Sequence, residues 1–167
     1  VEEALTPDLI KITAVANVLQ ASVPNVVLDY QLTEGDVALT IDNKGLDVNG
    51  IAKVNGAPVQ LVWREEFDSK APVAARYKLT ADLDDGMRRA IGYPTEPYVS
   101  GLTPGHIEIE VKKDRSALLD ADFDLTQAVM AVEQIDWQKP AGAPAQLKFK
   151  LAIAPNLPVR MESAVFN

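Results

Sequence analysis

A chain of 167 residues with 47% hydrophobic and 24% charged content is long enough for one domain with a sizeable core. Its formal net charge of -8, with no stripe of clustered Lys and Arg, excludes a nucleic-acid partner, because phosphate binding needs grouped cations to displace counterions. The lack of cysteine excludes a disulfide framework and thiolate metal sites, and no run of about 18 apolar residues is present to span a membrane as a helix.

The segment from Leu9 to Val23 is rich in β-branched residues (Ile10, Ile12, Thr13, Val15, Val18) and reads as one or two strands. Val26, Leu28, Tyr30 and Leu32 then alternate with Val27, Asp29, Gln31 and Thr33, which predicts a strand. Glu34-Gly35-Asp36 reads as a hairpin turn into a strand carrying Val37, Leu39 and Ile41. Asp42 to Gly45 turns the chain again. Leu46, Val48, Ala52 and Val54 share one face of the next strand, and Asn55-Gly56 is the strongest hairpin signal, since a type I′ turn wants positive φ at both positions. The returning strand places Ala57, Val59, Leu61, Trp63 and Phe67 on one face, with Val62 among the polar residues of the other.

Ala75, Tyr77, Leu79, Ala81 and Leu83 form the next alternating set, followed by the one passage that changes period. Acids at its start, Arg88 and Arg89 further on, and Gly92 before Pro94 predict a short helix near 84-91 that plugs one end of the sheet. Residues 94–105 read as a long loop. Ile107, Ile109 and Val111 alternate with charged residues, and Lys113 to Ser116 turns that strand into Ala117, Leu119, Ala121, Phe123 and Leu125. From Thr126 to Val132 the chain forms a second short helical turn or simply bends. Trp137 to Pro144 reads as a connector, Leu147, Phe149, Leu151 and Ile153 as a strand, and residues 158–166 as an edge strand.

The sum is an all-β fold: an antiparallel meander of about ten strands in a single β domain over residues 1–167. Laid flat, ten strands at about 4.8 Å each would be roughly 48 Å across with one apolar face, so the sheet must close into a barrel, fold into a sandwich or curl into an apolar-lined trough.

Few residues offer chemistry. The lone His106 has no nucleophile-elbow serine to serve. Asp120, Asp122 and Asp124 resemble a calcium loop, but Leu125 and Ala131 occupy the positions where such a loop needs Gly and an acid, and the alternation with Ala121 and Phe123 makes them a solvated strand face. Asp82, Asp84 and Asp85 suit a helix start on dipole grounds. The glycines are scattered at turns and form no phosphate-binding loop, and Trp63 alternates in phase with core positions. No enzyme activity, cofactor or metal is expected.

The stretch Gly45-Leu46-Asp47-Val48-Asn49-Gly50, Asn55-Gly56-Ala57-Pro58-Val59, Trp63-Arg64-Glu65-Glu66-Phe67 and Arg76 through Asp85, together with Tyr98-Val99-Ser100-Gly101, resembles the AsmA-like envelope proteins of the YhdP type found in alphaproteobacteria. Asp124-Leu125-Thr126 and Trp137 through Pro144 resemble a second signature of the same proteins, so the likeness covers most of residues 45–150. It implies a fragment of a larger periplasmic protein, anchored in the inner membrane by a segment not present here, that carries phospholipid along a long curled sheet. The start at Val1 fits such a fragment or a mature product. The expected partners are then phospholipid, the remainder of the parent chain and the inner membrane.

The expected lining is Leu61, Trp63, Tyr77, Leu79, Ile107, Ile109, Phe123, Leu147, Phe149 and Leu151. The same residues would fill an ordinary closed core if the chain is instead a structural or protein-interaction sandwich or barrel.

Overall fold

Strand formation follows from the two-residue period, which sends one side chain of each pair to a shared apolar face and the other to water. The computed structural model describes residues 13–27 and 30–167, and within them the chain forms twelve strands and one short α-helix. These are β1 (Thr13–Val27), β2 (Tyr30–Asp42), β3 (Gly45–Val54), β4 (Ala57–Glu66) and β5 (Val73–Leu83), then α1 (Asp85–Ala90). After it come β6 (Val99–Ser100), β7 (Thr103–Lys112), β8 (Ala117–Asp124), β9 (Val129–Val132), β10 (Trp137–Lys139), β11 (Gln146–Ile153) and β12 (Arg160–Phe166). Nine form one antiparallel sheet in the order β1-β2-β3-β4-β5-β7-β8-β11-β12, and β10-β9-β6 form a second. The edges β1 and β12 do not pair, so the large sheet is not a barrel.

It is nevertheless strongly curled. The Tyr77 hydroxyl of β5 donates to the Val26 carbonyl of β1 at 3.4 Å. In a flat sheet those strands, four positions apart, would stand about 19 Å from each other. The β1–β2 end therefore rolls across the apolar face. Leu32, Ala52, Val59, Leu61, Ala75, Tyr77, Ile109 and Ala117 are the buried centre of that face.

Several sequence expectations need correction. Val27 and Tyr30 are register partners, so the predicted Val26 to Leu32 strand is divided: Val26 and Val27 end β1, and Tyr30 to Leu32 begin the antiparallel β2. Leu28, Asp29 and the Leu9 to Ile12 portion of the first strand lie outside the described residues. Glu34-Gly35-Asp36 is a bulge within the single long strand β2, not a hairpin: Glu34 has φ 49°, and register shifts occur against both β1 and β3. A positive-φ residue beside Gly serves a tight turn and a bulge equally well, and only the partner strands decide between them. The bulge also explains a phase change in the pattern, from buried Leu32 to buried Val37, because one extra residue flips every later side chain.

Phe67 is not on the Trp63 face. It lies past the end of β4, where its N–H bonds the Lys44 carbonyl, and it is 48% exposed. The long loop, the Thr126 to Val132 segment and the connector conceal β6, β9 and β10, with a 3-10 turn at Glu133–Ile135. Strands of two to four residues are too short to display alternation, and β6 pairs with β9 about thirty residues away. With these three strands added and the two expected on either side of Glu34-Gly35-Asp36 fused into β2, twelve strands stand where about ten are expected.

The helix matches its signals. Asp84 caps it by accepting from the Met87 N–H at 2.8 Å, and Gly92 has φ 88°. What its sequence does not announce is that Arg88 is buried. The guanidinium donates to the Leu83 and Gly101 carbonyls (2.9 and 2.8 Å), to the Thr103 and Thr95 hydroxyls (2.9 Å each) and to Asp85. It thereby ties α1, its following loop and the start of β7 together. Lys139 plays a similar part under the small sheet, donating to the carbonyls of Ala128, Thr126 and Pro140 at 2.8, 3.3 and 3.2 Å.

The outer face carries directly opposed ion pairs: Asp47 with Arg64, Arg76 with Glu110, Lys78 with Glu108, Asp122 with Lys148 and Asp120 with Lys150. Asp120 and Asp122 thus belong to a salt-bridged strand face. Hydrogen bonds, first from Lys78 and then from His106, hold Glu108 below the usual carboxylate value. Asp114 and Asp124 are lowered chiefly by hydrogen bonds from the Ser116 and Thr126 side chains, and Asp42 by the Lys44 and Gly45 N–H groups.

Lowered folded-state values contribute stability that is present above the ordinary carboxylate range and lost as pH falls through the folded values. The urea midpoint should accordingly be flat above about pH 5 and fall below about pH 4. Arg88→Met should lower the unfolding free energy by about 3 to 5 kcal/mol, measured by urea titration, because it removes all the hydrogen bonds of a buried guanidinium and its ion pair with Asp85 at once. Gly50→Ala should cost about 2 kcal/mol in the same titration, as overpacking does. The new Cβ would sit 2.2 Å from the Asp36 carbonyl oxygen, which a backbone cannot easily yield.

Candidate functional site

Cross-strand register assembles the inward residues into rows. One row runs Gly50, Leu61, Leu79, Ile107, Ala121 and Phe149 across six strands, and the next runs Val48, Trp63, Tyr77, Ile109, Leu119 and Leu151. A third includes Ala81, Gly105, Phe123 and Leu147. All ten residues expected to line a trough lie on these three rows.

The inward curl encloses a groove along these rows, with a cavity of about 130 Å³. Leu61, Tyr77, Leu79, Ile107, Ile109 and Phe123 line it. The other four expected residues do not. Trp63 stacks on Tyr77 with centroids 5.5 Å apart, Phe149 stacks on Phe123 at 6.0 Å, Leu147 packs beside the buried Leu125, Ala128 and Ala145, and Leu151 is half-buried opposite Leu119.

The lining also includes residues outside the expected ten. Val26, Tyr30 and Leu32 are brought over by the curl, and Ile91 and Tyr93 are delivered by the chain leaving α1. Their signal was the predicted helix that plugs the sheet, but the depth to which its exit reaches depends on the Arg88 anchor. Gly105 admits a neighbour: a Cβ there would stand 2.4 Å from the Phe123 ring, so the missing side chain lets that ring lie across β7.

Polar atoms in the groove are turned away from it. The Tyr30 hydroxyl donates to the Ile91 carbonyl at 3.1 Å, and the Tyr77 hydroxyl to Val26. Burial raises the Tyr30 hydroxyl well above its ordinary value, reinforced by a hydrogen bond with Tyr93. Burial likewise pushes Tyr77 up to about 12, with the negative charge of Glu65 adding to the shift. What remains facing the space is carbon. Leu79, Ile107, Leu119 and Phe123 are only half-buried on that face, while Leu61 beneath them is 2% exposed.

His106 lies on the opposite, charged face, with Nδ1 3.1 Å from the Thr80 hydroxyl and Nε2 3.2 Å from Glu108. Among the described residues no cluster of His, Asp and Glu has the arrangement of a metal site, and no helix is long and apolar enough to cross a membrane. The arrangement is suited to holding an apolar chain by surface burial. No family model, no curated protein and no solved structure matches this chain.

Two outcomes test the groove. Leu61→Asp should unfold the protein, since an unpaired buried charge costs several kcal/mol. Leu79→Asp, whose carboxylate can reach the open space, should stay folded by circular dichroism with a smaller loss. Tyr77 binds its proton more tightly when folded, so the stability it contributes is present below pH 10 and is lost as pH rises from 10 through 12. Alkaline titration followed at the tyrosinate absorbance, with unfolding monitored in parallel, should show that loss, and Tyr77→Phe should lessen it and leave the part that Tyr30, also raised by burial, contributes.

Proposed function

We propose that this chain is the lipid-binding part of a membrane-anchored periplasmic protein of the AsmA-like, YhdP type, and that its groove holds the acyl chain of a phospholipid in support of outer-membrane lipid homeostasis. The observation that carries the reading is an apolar groove with a buried floor and four half-buried residues, Leu79, Ile107, Leu119 and Phe123, on a sheet that does not close. A closed-core interaction module, the competing reading, has no use for Leu79, Ile107, Leu119 and Phe123 left accessible side by side.

Dimensions and energetics agree with an acyl occupant. From Leu83 to Tyr77 the groove follows seven residues of β5, six steps and about 20 Å at strand rise. One acyl chain spans about 15 Å, half of a bilayer hydrocarbon core. Each methylene withdrawn from water contributes about 0.8 kcal/mol, so even a partly inserted tail is held strongly without any polar anchor. The Leu, Ile, Val and Ala residues of the lining present similar energies at successive positions, which favours sliding along the groove.

Native mass spectrometry with lipid extraction, on protein purified gently from bacterial envelopes, tests the proposal. Co-purifying phospholipid that disappears in a folded Leu79→Asp variant is the expected result. Lipid-free protein that also fails to take up added phospholipid would overturn it in favour of a structural β module.

A further inference from the structure

One inward side chain of β4 breaks the apolar pattern of that strand. Glu65, the penultimate residue of β4, follows Leu61 and Trp63 on the concave face, and its register partners are the apolar Leu46 and Ala75. Its carboxylate is half-buried and accepts a hydrogen bond from the Trp63 indole Nε1 at 3.2 Å. Trp63 in turn stacks on Tyr77, which lines the groove, so groove, ring pair and carboxylate are contiguous. The outward strand acids Asp47, Glu66, Glu108, Glu110, Asp120 and Asp122 each have a Lys or Arg within 4.0 Å, yet Glu65 has none among the described residues.

A carboxylate left without a cation beside a partly exposed indole is the chemistry that recognises an organic ammonium, through charge and through the ring's negative face. We propose that Glu65 and Trp63, with the buried Tyr77 stacked behind the indole, form a subsite for the ammonium group of an amphiphile whose apolar chain lies in the groove. This rests on the proposed acyl-binding role and adds a head-group preference to it: amine-bearing lipids over anionic or neutral ones of equal chain length. The tail points toward α1, where Ile91 and Tyr93 close the groove, and the head sits at the end of the sheet away from the helix.

The test uses single-chain amphiphiles below their micelle concentrations, read by the change in tryptophan fluorescence on binding. Dodecylammonium should bind roughly tenfold more tightly than dodecanol, the size expected of one ion pair supported by aromatic faces. Glu65→Gln, nearly isosteric, should erase the difference while leaving dodecanol affinity unchanged. Asp82→Asn, on the outer face, should leave the difference intact.

Equal binding of the two amphiphiles by the unmodified protein would overturn the subsite while preserving the groove, as would a preference that survives Glu65→Gln. An equal loss in Asp82→Asn would assign the preference to diffuse negative charge and overturn it too. Binding of neither amphiphile would overturn groove and subsite together. Free ethanolamine distinguishes the source of the ammonium: no competition at concentrations that saturate the amphiphile is expected, and competition as strong as dodecylammonium's would replace the lipid head group with a free amine and overturn the amphiphile assignment.

Discussion

A nine-stranded sheet with carbon on one face and edges that never meet has one problem to solve, and most of the molecule is its solution. The inward residues of β4, β5, β7 and β8 cannot be left on a flat surface in water, and the sheet does not cover them by closing. It curls instead, bringing the β1–β2 reversal over β5 until Tyr77 reaches the backbone of Val26. Bulges in β1 and β2 permit this, because each extra residue bends and twists its strand. Curling covers the middle of the face and leaves a groove where coverage stops.

The end near α1 is fixed by a different device. Loops that leave a sheet lose their ladder partners, and their buried carbonyls need donors from elsewhere. Arg88 supplies them to Leu83 and Gly101, and Lys139 to Thr126, Ala128 and Pro140. Two long cationic side chains thus take over the role of a sheet ladder in a region with little regular structure. Arg88 also holds the chain that carries Ile91 and Tyr93 into the groove, so a polar network on one side of the plug shapes an apolar space on the other.

The two faces divide the chemistry between them. Outside, charges of opposite sign stand directly across from one another and stabilise weakly but keep the surface wet and neutral pair by pair. Inside, tyrosine hydroxyls bond to backbone carbonyls and leave their rings to the groove. Glu65 is the exception inside, and its position next to the Trp63 and Tyr77 rings is what gives it meaning. An acyl-binding groove needs only uniform carbon, whereas a head-group preference needs one local departure from uniformity.

The sequence by itself determined the class, most strand faces, the Asn55-Gly56 hairpin with φ 46° and 89°, and the capped helix, because these depend on side-chain periodicity and on residues within a few positions. It placed Leu61, Tyr77, Leu79, Ile107, Ile109 and Phe123 on one face, since strand parity is a local property. Only the tertiary structure decided whether Glu34-Gly35-Asp36 turns or bulges, whether β6, β9 and β10 exist, and which apolar residues line a space and which fill a core. Trp63 and Leu79 read alike in the sequence, yet one stacks on Tyr77 and the other faces the groove. That difference arises from sheet curvature and from the reach of Arg88, both sums of contacts between segments far apart in the chain, and no window of the sequence contains them.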